Sequence, residues 1–138
     1  MAKITTDQVW AEIEKQMFAV VGMVTARNEA RTTGIVYTAR ERKLYFATDS
    51  DTQKFTNMYR NQSVSLSLPD PMNVVIIEGE AHVAERQTID VLADYFYHKY
   101  EWDFRYDDSA NWRLIEVTPF KILVWGDGYE EMEGIRVL

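Results

Sequence analysis

Between Phe18 and Thr48 the chain runs through three β-type segments separated by only two short polar breaks. Connections that short join antiparallel neighbours, because a parallel crossover needs a dozen or more residues. Phe18–Ala26 is a continuous apolar run too short for a buried helix. Thr32–Thr38 is rich in β-branched and aromatic residues, and Lys43–Thr48 follows across Arg40-Glu41-Arg42. The three read as an antiparallel meander. Further on, Ser63-Val64-Ser65-Leu66-Ser67-Leu68 alternates strictly, as a strand with one buried face does. Val74–Val83 is a long strand in which Gly79 marks an expected bulge or bend. Trp112–Thr118 and Phe120–Trp125 complete the set, as a strand pair or as one strand bent at Pro119.

Helical spacing appears three times. It covers residues 6–16 (Val9, Trp10, Ile13, Met17, capped by Thr5 or Thr6), 53–61 (Phe55, Met58, Tyr59) and 87–100 (Ile89, Leu92, Ala93, Phe96, Tyr100). Residues 101–111 read as loop and the tail from Gly126 as irregular. The expected fold over residues 1–138 is a single domain, mainly β with peripheral helices: a closed or nearly closed barrel, with an open α+β sandwich as the competitor.

Composition removes several functions. A net charge of −7 without a basic block argues against nucleic acid as a partner. There are no cysteines, hence no disulfides or thiolate metal sites. No apolar run approaches ~18 residues, so no membrane span is expected, and the first residues lack an apolar signal core, so a cytoplasmic location is expected. His82 and His98, the only histidines, have no metal-ligand spacing and read as structural. No nucleophile–base order or phosphate-binding glycine motif occurs, and no catalytic side chain is assigned. Asp7, Glu12 and Glu14 read as a solvated helix face, and Asp127–Glu133 as a solvated tail.

The stretch Leu44–Asn57 carries the chemistry. A strand ends at Thr48, a polar loop follows, and Lys54 falls in the first turn of a helix. Thr48 and Thr52 offer hydroxyls, the helix start offers unpaired N–H groups, and Lys54 offers a charge, together a phosphate cradle. The plainer alternative makes Asp51 or Thr52 a helix cap and Lys54 a solvated surface residue.

The order of these features resembles the pyridoxamine-phosphate-oxidase-like FMN-binding split-barrel family. That family includes general stress proteins and deazaflavin-dependent reductases. The carrying residues are Thr48-x5-Lys54, the turn Arg60-Asn61-Gln62, the strand Val64-Ser65-Leu66, then Val75-Ile76-Ile77-Glu78-Gly79-Glu80-Ala81 and Val117-Thr118-Pro119. The resemblance spans about Phe18 to Trp125 and implies a six-stranded antiparallel split β-barrel working as a homodimer, with FMN at the subunit interface. It implies cofactor contacts from Thr32, Thr33, Gly34, Ile35 and Val36 along the ring, and from Ala47, Thr48, Thr52, Gln53 and Lys54 near the phosphate. Trp125 is a candidate ring contact. Two departures stand out: the oxidases carry arginines where Thr32 and Gln53 fall, leaving Lys54 as the expected cation. With no arginine-rich C-terminal substrate motif either, true pyridoxamine-phosphate oxidase activity is not expected, and the general-stress-protein branch is nearer. The implied function is an FMN-dependent oxidoreductase with a small-molecule substrate. The alternatives are flavin storage without turnover, a deazaflavin or haem protein (with His82 or His98 as ligand), or a barrel acting only in protein interactions.

Overall fold

The computed structural model describes residues 5–70, 73–106 and 111–126. Its elements are α1 (Thr6–Lys15), β1 (Phe18–Val24), β2 (Ala30–Val36), β3 (Thr38–Arg40), β4 (Lys43–Asp49), α2 (Gln53–Arg60), β5 (Ser63–Leu68), β6 (Asn73–Val83), α3 (Arg86–Tyr100), a 3-10 turn (Phe104–Tyr106) and β7 (Trp112–Gly126). The strands form one antiparallel sheet in the order β2-β1-β5-β6-β7-β4-β3. The two ends of that order, β2 and β3, are separated in the chain by Tyr37 alone. The sheet must therefore curl until its ends meet.

Side chains keep alternating through the junction, with Ile35, Tyr37 and Ala39 all in the core. β2 and β3 are thus one strand that exchanges its partner, from β1 to β4. Counted so, the seven ladder segments are six strands, and the expected antiparallel split barrel is observed. The early meander is present too, but its middle strand is shared between two neighbours.

Val21, Leu66, Ile77 and Ile122 lie side by side across β1, β5, β6 and β7, each at 0% exposure. Val9, Trp10 and Ile13 of α1 and Met58 of α2 join this interior cluster. A capping box starts α1: Thr5 and Gln8 each bond the other's backbone N–H. The helix ends at Lys15, so Met17, expected on its buried face, is half-exposed instead. A second cluster lies outside β4 and β7, where Leu92, Ala93 and Phe96 of α3 and Phe104 cover Tyr45 and Leu114. Residues 104–106, expected as loop, form a turn because Phe104 packs edge-on against Phe96 at 5.6 Å.

The last two β segments are one strand. Gly79 faces Pro119 while Glu78 faces Lys121, so Phe120 is the extra residue of a bulge. No helix among the described residues is long and apolar enough to cross a membrane.

The strand junction is held by Tyr100. Its hydroxyl accepts from the Tyr37 N–H at 3.1 Å and reaches the carbonyls of Tyr37 and Met17. The Tyr37 hydroxyl in turn donates to the Ile13 carbonyl at 2.5 Å. Tyr100→Phe strands the Tyr37 peptide at the seam and is expected to cost about 1–3 kcal/mol, read by urea denaturation.

Lys99 presses against the same seam, its ammonium buried 4.5 Å from the centre of the Tyr37 ring. Burial brings its pKa from 10.5 down to about 8, with Glu14 opposing the shift. The folded chain therefore sheds this proton before the unfolded chain does. The cost of the buried charge is fully present below pH 8 and is relieved as pH rises toward 10.5. Lys99→Met should raise stability at pH 7 and flatten the rise between about pH 8 and 9.5. Denaturation midpoints at several pH values check this. An unchanged slope would show that the two tyrosine rings compensate the desolvation.

Candidate functional site

Antiparallel pairs alternate between bonded and non-bonded positions. In the β1–β2 hairpin the Thr25 N–H donates to the Glu29 carbonyl at 2.9 Å. Carried along the register Met23↔Arg31, Val21↔Thr33 and Ala19↔Ile35, this turns the main-chain groups of Arg31, Thr33 and Ile35 toward β1. Those of Thr32, Gly34 and Val36 point the other way. The β3–β4 turn is Glu41-Arg42, with φ of 53° and 60°, the two-residue type that makes Arg40–Lys43 a bonded pair. Thr38–Tyr45 is then bonded too, and Ala47, two residues on, faces the β2 side.

Beyond the Thr38–Tyr45 pair, β2 and β4 have separate neighbours. A split opens between them, with main-chain groups of Thr32, Gly34 and Val36 on one wall and of Ala47 on the other. Gly34 sits in a regular ladder rather than a bulge, and a Cβ there would meet nothing within 4 Å.

The loop into α2 closes one end. Asp49, on the same strand edge as Ala47, accepts at its carbonyl from the Thr52 N–H (3.1 Å) and the Thr52 hydroxyl (2.7 Å). Thr52 caps α2, its Oγ1 accepting from the Phe55 N–H at 3.3 Å. Its proton is thus committed, so Thr48, 2% exposed and 3.3 Å away, is the donor between the two hydroxyls. Thr52 is both cap and support for Thr48, and the N–H groups of Gln53 and Lys54 open the helix with no partner inside it.

The inward face of α2 differs from the expected Phe55, Met58 and Tyr59. Asn57 and Met58 are buried, while Tyr59 is 72% exposed. Lys54 lies three and four residues before that buried pair, on the inward side, and is half-buried. Burial lowers its pKa, and among the described residues no hydrogen bond or ion pair offsets the loss of water. Lys54 is thus half-buried rather than fully solvated. Asn57, at 0% exposure, accepts from Gln53 Nε2 at 3.1 Å and keeps an unpaired, buried Nδ2. Sequence reading missed Asn57, and it missed Arg113, which pairs with Thr48 across β4 and β7 and so shares its face. Arg113 is exposed and its Nη1 donates to the Trp112 carbonyl at 2.9 Å; its place opposite Thr48 is invisible in sequence because the two are 65 positions apart.

Other expected contacts fall elsewhere. Ile35 is a core residue and Thr33 points inward beside Val21, so neither offers side chain or main chain to the split. Trp125 pairs with Val74 through its backbone; its side chain lies outside the described residues, as do Tyr129 and Asp127–Glu133. His98 is exposed, its Nδ1 2.8 Å from the Asp94 carbonyl. His82 lines a cleft of about 250 Å3 with Phe55, Met58, Tyr59, Val83 and Ile115. No group of His, Asp and Glu among the described residues could hold a metal ion.

Outside the barrel, Gly34, Val20, Ser67, Ile76 and Leu123 form a row across five strands, beside Phe18 and Val36. Phe18 and Val36 are 51% and 42% exposed. This partly apolar face adjoins the split, and no helix of the described residues covers it as α3 covers β4 and β7.

The family described as Pyridoxamine 5'-phosphate oxidase matches residues 5–126. No curated protein matches by sequence. Among solved structures, general stress protein 26 from Bacillus anthracis is 22% identical, with a TM-score of 0.73 over 95% of this chain and 97% of its own. A heme binding protein from Mycobacterium smegmatis is 12% identical, with a TM-score of 0.75 over 88% of this chain and 53% of its own. An F420 reductase is 17% identical, with a TM-score of 0.67 over 81% of this chain and 93% of its own. At these identities the likeness concerns the fold.

Proposed function

The chain belongs to the pyridoxamine 5'-phosphate oxidase family, and on that premise we propose that it is an FMN-binding flavoprotein, a homodimeric cytoplasmic oxidoreductase acting on a small molecule. One observation carries this reading. Unpaired main-chain groups of Thr32, Gly34, Val36 and Ala47 line the split, and Lys54, half-buried and without a partner among the described residues, sits in the first turn of the helix that follows β4. Lys54, the N–H groups of Gln53 and Lys54, and Arg113 would hold a phosphate, while Thr48 donates to Thr52 and braces the cap behind them. The β2 edge would take the polar rim of a ring system, which Gly34 allows to come close. A second copy packed on the Gly34–Leu123 row would cover the open side.

Bound flavin supplies hydride or electron transfer, while the residues of the split bind it, orient it and keep water away. No acid or base need come from a side chain. The sequence carries no counterpart of the oxidases' arginine-rich substrate motif, so pyridoxamine phosphate is not the proposed substrate. A deazaflavin, with its longer acidic tail, fits a chain of net charge −7 less well. Haem has one supporting observation, His82 at its apolar cleft, but that cleft is below the roughly 300–1,000 Å3 of ordinary ligand pockets.

The visible spectrum of the purified protein, with and without added FMN, tests the assignment. A flavin band that bleaches with a nicotinamide donor supports an oxidoreductase, and a band that does not bleach supports storage. A Soret band, or a colourless protein indifferent to FMN, rejects the reading.

A further inference from the structure

On the opposite edge of the same strand, Tyr100 fills one rung and the next stands open. The alternation that turns Thr33 and Ile35 toward β1 places the main-chain groups of Tyr37 and Ala39 on that edge as well. β1, however, begins at Phe18, opposite Val36. At Tyr37 the missing strand is replaced by the Tyr100 hydroxyl, which accepts from the N–H and reaches the carbonyl. Ala39 presents the same donor–acceptor pair, and no residue among those described bonds to it.

That pair faces a groove of about 520 Å3 between α1 and α3, lined by Glu14, Thr38, Ala39, Arg40, Glu41 and Tyr95. Thr38 is 5% exposed. An unmatched rung calls for a ligand that both donates and accepts.

The charges around the groove are already balanced. The Arg40 guanidinium is 3.6 Å from Glu41 and 5.9 Å from the centre of the Tyr95 ring, while Glu14 acts on the Lys99 ammonium behind it. No net charge is left to attract an ion. An extended peptide is disfavoured as well, because the Glu41-Arg42 turn leaves a single rung where strand addition needs several.

We propose that this groove binds a small neutral aromatic carboxamide. Its carbonyl accepts from the Ala39 N–H, its N–H donates to the Ala39 carbonyl, and its ring lies against Tyr95. Benzamide titrated into the isotope-labelled full chain tests this. The Ala39 amide and Tyr95 ring resonances should shift together and saturate at about millimolar benzamide, as suits so small a ligand. Acetophenone, which keeps the acceptor but lacks the donor, should bind at least about tenfold more weakly. Ala39→Pro removes an N–H that the β3–β4 ladder does not use, and should abolish binding. Tyr95→Ala, on the helix surface, should weaken binding and serves if Ala39→Pro fails to fold. Benzamide that leaves Ala39 and Tyr95 unmoved, or acetophenone that binds equally well, overturns the proposal.

Discussion

Gly79→Ala is expected to cost the fold about 3 kcal/mol or more, a large part of the stability of a domain this size. A Cβ at residue 79 would stand 2.5 Å from the Thr118 carbonyl oxygen and 3.0 Å from the Pro119 Cα. Both obstacles are backbone, so no side-chain rotation relieves the contact. The β6–β7 ladder would have to open at its bulge, where Phe120 is already unpaired. Thermal and urea unfolding measure the loss. Gly34→Ala is the matched control: a Cβ there meets nothing within 4 Å, so stability should hold while the wall of the split becomes less accessible to a flat ring. Gly79→Ala within about 0.5 kcal/mol of the parent would mean that β7 yields easily at Pro119.

Lys54→Ala should lower FMN affinity by roughly 10- to 150-fold, the equivalent of about 1.5–3 kcal/mol for a charge-assisted contact. The effect on folding has the opposite sign. Lys54 gives up water without a partner among the described residues, so its charged form is disfavoured in the folded chain. Removing it should leave stability unchanged or raise it. Weaker binding with undiminished stability marks a residue kept for a ligand. Fluorescence titration of FMN against both proteins, beside their urea midpoints, separates the two effects. Equal affinity would remove the phosphate from Lys54.

Much of this was legible in the sequence because side-chain type records which face is buried. The serine–aliphatic alternation at 63–68 became β5, and Gly79 came to lie opposite the bulge. The partner exchange at Tyr37 was not legible. Ile35, Tyr37 and Ala39 alternate inward without a break, and only hydrogen bonds register the change of neighbour. For the same reason Thr32 and Gly34 could not be told from Thr33 and Ile35 as candidates for the split. The inward turn of Lys54 was hidden as well. Phe55, Met58 and Tyr59 make the most apolar stripe of α2, but the fold buries Asn57 instead of Tyr59. Arg113 and Tyr100 act on residues far away in the chain, Thr48 and Tyr37, and long-range pairing has no local signature.

The most direct measurement is the pattern of backbone amide shifts as FMN is added. Occupation of the split requires the amides of Thr32, Gly34, Val36 and Ala47 to move, with those of Gln53 and Lys54, while Thr33 and Ile35, engaged with β1, stay in place. Shifts that make no distinction between these alternating neighbours, or none at saturating FMN, would contradict it.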